Sequence, residues 1–469
     1  MLRHKTSGCY PYFNSGVNLV AKVNFLFTIY FFLTSQCLGL SLDEAVRLTL
    51  KNNFEIQSAE LDRINQRFAV KVSQDQFNWQ NGITGESTLL DASESNVVSS
   101  STSITPESSI QSAYGTKLSF EPHLHWDDGF QPEIVLEQHL IRGTNPNVNL
   151  AELRNAIDQN KIDQLNYKHT ISQAISDTLI AYVDILTTKR KVSAIKRTMT
   201  VNRNNLDATK IKFKFGETSQ TELVNNRIAL SESLSSLSNA EAEFESNTNT
   251  LLDLLDIKRT DITVTDSLAS IRNRFKIPTE MEVLRALLEN NIDYQSLKIT
   301  ANKNQRTLLK VKDDLKPDLT LTGTTNPTDP SDSRLSIHLD VPIHDINREQ
   351  SVVNAKVDIQ KNEADIKRKE IELTNHARNL VQELIYLDKS IQAQEKQVKM
   401  RVDLLQKNQL RFNNGFISTF EFTEQINEKE EAVDELNNSI TTFASKLINL
   451  YNEMGLTLEQ WHVNLPKDF

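Results

Sequence analysis

Two histidines one residue apart, His123 and His125, are the first candidates for chemistry in this chain, because a His-x-His pair can ligate a metal ion. The nearby acidic residues are Asp127 and Asp128, which follow Trp126 directly. A surface loop carrying an interfacial tryptophan accounts for the same residues more simply. The sequence therefore predicts no metal site here.

Other reactive side chains form no catalytic pattern. His338 lies on the polar side of an alternating segment and His344 lies just beyond it, which fits a polar surface or a pore lining. The sequence contains no phosphate-binding glycine loop and no nucleophile elbow. Glu421 and Glu424 lie three residues apart and would be neighbours on a helix. Taken alone, they are equally typical of solvated acids. We predict no enzymatic activity and no cofactor.

Two very long segments contain no proline, and the second of them includes His344, Glu421 and Glu424. They span residues 147–277 and 343–465, and both contain a glycine in a similar context, Gly216 and Gly415. Proline and glycine are the residues that interrupt helices. Each segment is therefore predicted to be a helical hairpin that turns at its glycine. A second glycine in the later segment, Gly455, lies near its end.

The two hairpins are copies of one unit. Each hairpin contains five apolar residues spaced seven apart, which is the coiled-coil period. The two sets are separated by 199 residues. They are Ile185, Val192, Met199, Leu206 and Phe213 in the first hairpin, and Leu384, Ile391, Val398, Leu405 and Phe412 in the second. An upstream block beginning at Leu50 repeats at Leu288, an offset of 238 residues. An internal duplication of this length determines the architecture.

Composition restricts the functional class. The net charge of -10 argues against nucleic acid as a partner, and a mean hydropathy of -0.43 is too polar for a helical membrane protein. Residues 1–39 are predicted to be a signal peptide, with Cys37 and Gly39 before a cleavage site at Leu40. An N-terminal anchor helix is the alternative. We expect no membrane-spanning helix in the mature chain.

The predicted domain organisation follows the duplication. The first repeat covers residues 40–278, with a helix at 42–78, strands at about 80–147, and a hairpin at about 150–257 whose long helix covers 150–215. The second repeat covers residues 279–469, with a helix at 280–313, strands at about 315–344, and a hairpin at about 346–456 whose long helix covers 346–414. Each long helix would extend roughly 100 Å, so it must lie beside other long helices.

The long helix of the second repeat carries two apolar rows on different faces. One row steps by seven from Val352 to Leu387, and the other includes Val357, Ala364 and Ile371. A two-helix coiled coil needs a single row, whereas a helix with neighbours on both sides needs two. The pattern indicates a closed ring of helices, with the interior of an ordinary bundle as the alternative.

The strand regions alternate between apolar and polar residues. Residues 334–341 and 114–121 alternate cleanly, and residues 318–323 and 133–140 do so less regularly. Such strands have one apolar face and one polar face, as in outer-membrane β-barrels, although a soluble sandwich has a similar pattern. One chain supplies four to six strands, fewer than the roughly eight that a membrane barrel needs. The barrel must therefore be shared between chains.

The chain resembles the TolC-like outer-membrane efflux proteins over nearly its whole mature length. The matching motifs occur in the family's order. One opens the first repeat at residues 42–46 and 51–53, one leads into the first long helix at 137–143 and 149–154, and one follows the last strand at 341–343. The two Phe…Gly…Glu turns also match. The resemblance implies a mainly α fold with a β-barrel contribution, built from duplicated helix–strands–long hairpin units. Three chains would form an α-helical barrel capped by a shared twelve-stranded outer-membrane β-barrel, with two strands per repeat. Residues 114–121 exceed that number.

The resemblance also implies a function. The chain would be the outer-membrane channel of a tripartite efflux pump or type I secretion system in a Gram-negative bacterium. It would extend into the periplasm and bind a periplasmic adaptor protein and an inner-membrane transporter. The alternative is a periplasmic coiled-coil adaptor, but an adaptor would have one hairpin flanked by lipoyl-like segments. The cargo could be a small toxic molecule, a metal ion or an unfolded protein.

The site residues are carried over from the same family. Its second repeat has two aspartates six and nine residues after the glycine, where this chain has Glu421 and Glu424; these would form an acidic ring at the periplasmic entrance. The first repeat has Glu222 and Asn225 at those positions. The adaptor would dock on the hairpin tips, at Phe213, Gly216, Glu222, Phe412, Gly415 and Phe416. The family's Val-Gly-Leu tip is absent from both copies.

Overall fold

The protein is described by a computed structural model that covers residues 38–91, 99–125, 129–258, 262–274 and 276–463. The predicted signal peptide lies outside these residues except for Leu38 and Gly39. The chain is mainly helical, and the strands that lie between the medium helix and the long helix of each repeat form one shared sheet. None of the helices described combines the length and the hydrophobicity needed to cross a bilayer.

The helices of the first repeat, in chain order, are α1 (Leu42–Asn52), α2 (Phe54–Asp75), α3 (Pro146–Asn149), α4 (Ala151–Lys214), α5 (Gln220–Leu254) and α6 (Leu268–Arg274). Those of the second repeat are α7 (Glu280–Asn290), α8 (Ile292–Asp313), α9 (Ile346–Asn413), α10 (Thr419–Glu453) and α11 (Thr457–Gln460). The strands are β1 (Leu38–Leu40), β2 (Gln80–Asp91), β3 (Ser99–Gln111), β4 (Thr116–His125), β5 (Gly129–His139), β6 (Ile262–Val264), β7 (Asp318–Asn326) and β8 (Asp329–Asp340).

The prediction of one uninterrupted medium helix per repeat was wrong. The helix at 42–78 is divided into α1 and α2 at Asn53, and the helix at 280–313 is divided into α7 and α8 at Asn291. The Asn53 side chain accepts hydrogen bonds from the amides of Glu55 and Ile56 at 3.0 and 3.2 Å, and Asn291 accepts one from Tyr294 at 3.0 Å. Each asparagine therefore caps a new helix instead of continuing the old one.

The core surrounds the middle of α4. Residues from Ile171 to Leu186 are mostly buried there, and Tyr182 is completely buried. The Tyr182 hydroxyl lies 2.8 Å from both the Leu40 carbonyl oxygen and an Asp266 carboxylate oxygen, although its one proton can serve only one of them at a time. Strand β1 pairs in parallel with β6 beside this site. The contact that anchors β1 thus uses Leu40, the predicted first residue of the mature chain.

The long helices form a single layer whose order changes along its length. In the hairpin half, α4 contacts α5 and α10, and α10 contacts α9. In the half next to the sheet, α4 contacts α2 and α8, and α8 contacts α9. Consequently α9 lies at one edge of the layer throughout, while α5 and α2 lie at the opposite edge.

The sheet has the strand order β2-β3-β4-β5-β7-β8, and every neighbouring pair is antiparallel. Four of its strands come from the first repeat and two from the second, whereas the resemblance implied two from each. The alternating segments of the sequence correspond to β4, β5, β7 and β8. Strand β4 begins at Thr116 rather than at residue 114, because Gly115 lies in a turn with φ of 79°.

Cross-strand pairing places apolar side chains on one face of the whole sheet. Residues paired across antiparallel strands share a face, and apolar pairs recur from strand to strand. Among the side chains described, they include Ile110 with Leu118, Leu118 with Leu136, Phe120 with Ile134, Leu321 with Ile337, and Leu319 with Leu339. In the single chain this face is uncovered, and Leu335 and Ile337 are 75% and 70% exposed.

Candidate functional site at the helical turns

The turn after α9 is a helix-ending motif built on Gly415. The Gly415 amide donates to the Phe412 carbonyl at 2.9 Å, and the Phe416 amide donates to the Arg411 carbonyl at 2.8 Å. This pair of bonds defines a Schellman motif, which needs a left-handed residue after the helix. Gly415 fulfils that need with φ of 74°.

The turn after α4 repeats this geometry around Gly216. The Gly216 amide donates to Phe213 at 3.0 Å, the Glu217 amide donates to Lys212 at 2.9 Å, and φ of Gly216 is 75°. A Cβ atom added at either glycine would meet nothing within 4 Å. The requirement for glycine thus comes from the backbone conformation rather than from crowding.

The two glutamates that follow the turns cap the next helices. The Ser418 amide and hydroxyl donate to the Glu421 carboxylate at 2.9 and 3.2 Å, and the Glu421 amide donates to the Ser418 hydroxyl at 3.2 Å. This reciprocal arrangement is a capping box. In the first repeat, the Glu222 amide donates to the Ser219 hydroxyl at 3.1 Å, and Thr218 donates to the Glu222 carboxylate.

This structural role was missed in the sequence, although the Ser-x-x-Glu spacing that signals a capping box occurs at both turns. Glu421 is exposed despite its bonds, and Glu424 is exposed one helical turn further along α10. Asn225, the first-repeat counterpart of Glu424, is exposed on α5. The two predicted ring residues therefore differ, because Glu421 also stabilises the start of its helix.

Aromatic residues form the tip of each hairpin. The ring of Phe412 stacks on that of Phe422, with centroids 4.8 Å apart and planes at 10°. Beyond this stack, Phe416 is 73% exposed, and Phe215 is 76% exposed in the other turn. Phe213 is also accessible. An apolar ring thus protrudes next to each glycine.

Polar contacts hold the two hairpins together near their tips. The Asn205 side chain on α4 donates to the Thr423 hydroxyl on α10 at 2.8 Å. Within the first hairpin, the buried Asn202 donates to the Ser233 hydroxyl at 2.6 Å, and Asn226 donates to the Thr209 hydroxyl at 2.8 Å. These bonds fix the spacing of the tips within one chain.

The remaining candidates lie elsewhere. His338 lies in β8 opposite Thr320, and His344 has φ of 52° in the link to α9. The side chains of His123 and His125, and all of residues 126–128, lie outside the described part of the chain. Within the described part, no three His, Cys, Asp or Glu side chains are grouped so that they could hold a metal ion.

No protein-family model and no curated protein sequence matches this chain. Solved structures do match it along most of their length. CusC superposes with a TM-score of 0.66 at 13% identity, covering 91% of this chain and 95% of CusC. The open state of the Neisseria gonorrhoeae MtrE outer membrane channel gives 0.66 at 15% identity, with 88% of each chain covered. The Campylobacter jejuni CmeC outer membrane channel gives 0.65 at 15% identity, covering 88% of this chain and 85% of CmeC.

The chain has the fold of the TolC-like outer-membrane channels. This confirms, for the fold, the resemblance that the turn and strand motifs indicated. The matches cover 88–91% of the chain, so they extend over both repeats. At this level of identity the likeness establishes the fold alone. The roles of Glu421, Glu424 and the hairpin tips therefore stay predictions.

Proposed function

We propose that this chain is one third of a trimeric outer-membrane channel, which passes cargo from a periplasmic pump assembly to the exterior of a Gram-negative cell. The pump would be a tripartite efflux pump or a type I secretion system, completed by an adaptor protein and an inner-membrane transporter. The observation that carries the proposal is that a single chain leaves both edges of its sheet and of its helical layer uncovered.

The sheet supports a position in the lipid bilayer. Its apolar face is exposed across the strands, and its other face carries polar residues such as Thr322, Ser336 and His338. Apolar groups facing lipid and polar groups facing a water-filled lumen are typical of outer-membrane barrels. An open sheet edge in lipid would leave amide and carbonyl groups without partners. Closure by further copies of the chain satisfies them.

The helical layer supports the same assembly. Along α9, the row that includes Leu373 and Leu380 packs within the chain, whereas Ile371 in the second row is 64% exposed. The second row therefore lacks a partner within the part of the chain that is described. A neighbouring protomer would cover it and extend the layer into a ring. The ring would extend roughly 100 Å from the membrane into the periplasm.

The hairpin turns would form the periplasmic entrance. In a trimer, Glu421 and Glu424 from each chain would surround the opening with carboxylates. Close like charges in a narrow pore attract cations. The exposed rings of Phe416 and Phe215 would supply the apolar contact for the adaptor.

The test is the state of the purified protein. We expect the processed chain to fractionate with the outer membrane, to have three times the mass of one chain in detergent, and to conduct ions in planar bilayers. A monomer that stays soluble without detergent would contradict the proposal. Release with the periplasmic fraction and binding to an outer-membrane channel would favour the adaptor alternative.

A further inference from the structure

We propose that the channel closes through a barrel of eighteen strands, six from each chain, instead of the twelve that the resemblance implies. The inference rests on the proposed trimer and concerns the extra hairpin, β2 and β3. It predicts that β2 of one protomer pairs with β8 of the next. The exit through the outer membrane would then be wider than a twelve-stranded barrel allows.

All six strands are long enough to take part. Strands β2 and β3 have 12 and 13 residues, and the remaining four have between 9 and 12. A tilted strand needs about 9–11 residues to cross the hydrocarbon region. The extra hairpin thus has the length of a membrane-spanning element, whereas a short surface hairpin would need less.

The extra hairpin also continues the two faces of the sheet. Ile83 in β2 lies opposite Pro106 in β3, and Ile110 in β3 lies opposite Leu118 in β4. Ile83 is 77% exposed and Ile104 is 43% exposed, like the apolar residues of β8. Among the side chains described, the same face also carries Asn81 and Ser108, and the Ser108 hydroxyl donates to the Asn81 side-chain oxygen at 2.7 Å. The described part of the hairpin therefore presents three isoleucines, with one polar pair, on the side where the other four strands present their apolar residues.

The edges of the helical layer coincide with the edges of the six-stranded sheet. Helix α2, at one edge, leads into β2 after residues 76–79, and β8 leads into α9, at the other edge, through residues 341–345. Along α2 an apolar stripe is exposed, consisting of Phe54, Leu61, Ile64, Phe68 and Val72. A neighbour whose α9 covers this stripe brings its β8 next to β2. In a twelve-stranded barrel, β4 would have to lie at the seam between protomers. In this sheet β4 lies two strands away from the edge strand β2.

The circumference of the helical ring agrees with that of an eighteen-stranded barrel. Each chain connects four helices to the sheet, α2, α4, α8 and α9, so a trimer has a ring of twelve. Helices spaced about 10 Å apart give a ring of about 120 Å. Strands spaced about 4.8 Å apart and tilted by about 40° give about 110 Å for eighteen strands and about 75 Å for twelve. The wider barrel continues the helical ring without a narrowing.

The consequence for cargo is a larger exit. The backbone radius implied by eighteen strands is about 18 Å, compared with about 12 Å for twelve. Barrels of 16–18 strands leave an open aqueous channel. An exit of this width suits a polypeptide or another bulky polar cargo, in addition to small molecules.

Disulfide cross-linking between protomers tests the seam. The described residues contain no cysteine, so introduced ones are unique there. Ile83→Cys is combined in turn with Leu335→Cys, Ile337→Cys and Leu339→Cys, and membranes are oxidised before non-reducing electrophoresis. Within one chain β2 and β8 are five strand spacings apart, about 24 Å, which no disulfide can bridge. Covalent dimers and trimers therefore report contact between chains.

Two comparison sets make the result decisive. Leu118→Cys in β4, combined with the same three β8 cysteines, tests the twelve-stranded seam; β4 and β8 of one chain are about 14 Å apart. Leu321→Cys with Ile337→Cys, which are paired in β7 and β8, should form a disulfide within the chain and confirms the oxidation conditions.

We expect oligomers from Ile83→Cys in at least one register and none from Leu118→Cys. Oligomers from Leu118→Cys, or none from either set in a sample with the mass of a trimer, would overturn the eighteen-stranded barrel and leave the proposed channel intact. A sample that runs as a detergent-free monomer would overturn the proposed function itself.

Discussion

Single residues at the turns have separable roles, and Gly415 is the most restrictive. We predict that Gly415→Val weakens assembly with the pump while the sheet stays folded, because a β-branched residue at positive φ costs about 1–2 kcal/mol. The measurement is cross-linking to the adaptor together with transport in cells. Asn414→Ala is the control, since Asn414 has an ordinary φ of -91°. Normal transport and normal cross-linking by the valine variant would show that this turn is not the docking tip.

The two glutamates of the predicted ring can be neutralised without losing the cap. Glutamine can replace glutamate in a capping box, so Glu421→Gln and Glu424→Gln both remove charge and keep the helix start. We predict that the pore is selective for cations and is blocked by trivalent cations from the periplasmic side. In the double variant the block should be at least about tenfold weaker, because each lost charge interaction exceeds about 1 kcal/mol. Block should also weaken with salt.

The matched comparison for the ring is Glu222→Gln, which should have less effect on block because its partner position is the neutral Asn225. Single-channel recording in planar bilayers measures all the variants. If the double variant is blocked as strongly as the parent protein, Glu421 and Glu424 are solvated surface acids, and the family correspondence at this site is wrong.

Asp184 on α4 provides a test of pH dependence. Burial, followed by the negative charge of Glu243, raises the pKa of Asp184 above its ordinary value of 3.8. The folded protein therefore binds the Asp184 proton more tightly than the unfolded chain does. As pH rises from the pKa of Asp184 in the unfolded chain through its pKa in the folded protein, ionisation of Asp184 lowers the stability of the folded state. We predict that Asp184→Asn raises the melting temperature at pH 7 and that the gain vanishes below about pH 4.

A residue with the opposite shift supplies the control for that experiment. A hydrogen bond from Lys210 lowers the pKa of Asp207 on the same helix. Asp207→Asn should therefore give no stabilisation at pH 7. An equal gain from both variants would indicate a general effect of net charge and would contradict the assignment to Asp184.

Helix α2 begins where it does because of Asn53. The Asn53 amide group also donates to the Leu254 carbonyl at the end of α5, at 2.9 Å. We predict that Asn53→Ala destabilises each chain by about 2 kcal/mol, through loss of the cap and of a bond to a buried end. Thermal unfolding of the detergent-solubilised protein measures this. Asn52→Ala, one residue earlier and partly exposed, should cost much less; an equal loss would argue against the cap.

The second repeat makes the same two kinds of contact with two adjacent asparagines, Asn290 and Asn291. Asn290 donates to the Met454 carbonyl beyond α10 at 2.7 Å, while Asn291 caps α8. The duplicated Asn-Asn pair thus joins the medium helix to the end of the hairpin in both copies. The sequence contained this information as a repeated motif, but a helical pattern continues through it, so apolar periodicity alone predicted one helix.

The elements that the sequence predicted well are those governed by strong local rules. The absence of proline and the isolated glycines placed the long helices and both turns, because those residues act directly on the backbone. Strands β4, β5, β7 and β8 were visible through alternation. Strands β2 and β3 were not, because their many Ser, Thr and Gly residues resemble a loop, and their place in the sheet depends on pairing with β4. The capping boxes were overlooked, although their spacing was present.

At the scale of the whole molecule, the exposed stripe on α2 should be the seam between protomers. We predict that Phe68→Glu lowers the trimer fraction at least about tenfold, because an unpaired charge is costly to bury. Ala69→Glu is the matched control, since it adds the same charge about 100° around the same helix. Mass measurement in detergent compares them. A Phe68→Glu sample that remains trimeric would place the seam elsewhere.

The parallel pairing of β1 with β6 has a consequence for how the chain would fold during the predicted export. Leu40 lies opposite Val264, so this contact joins residues more than two hundred positions apart. Closing so long a loop is entropically costly and slow compared with forming local helices. Cleavage at the predicted site would leave Leu40 as the only residue of this strand, and we expect Leu40 to stay unpaired until β6 has left the export machinery. The first repeat then becomes a closed unit before the second has emerged, and its exposed edges meet their partners only afterwards.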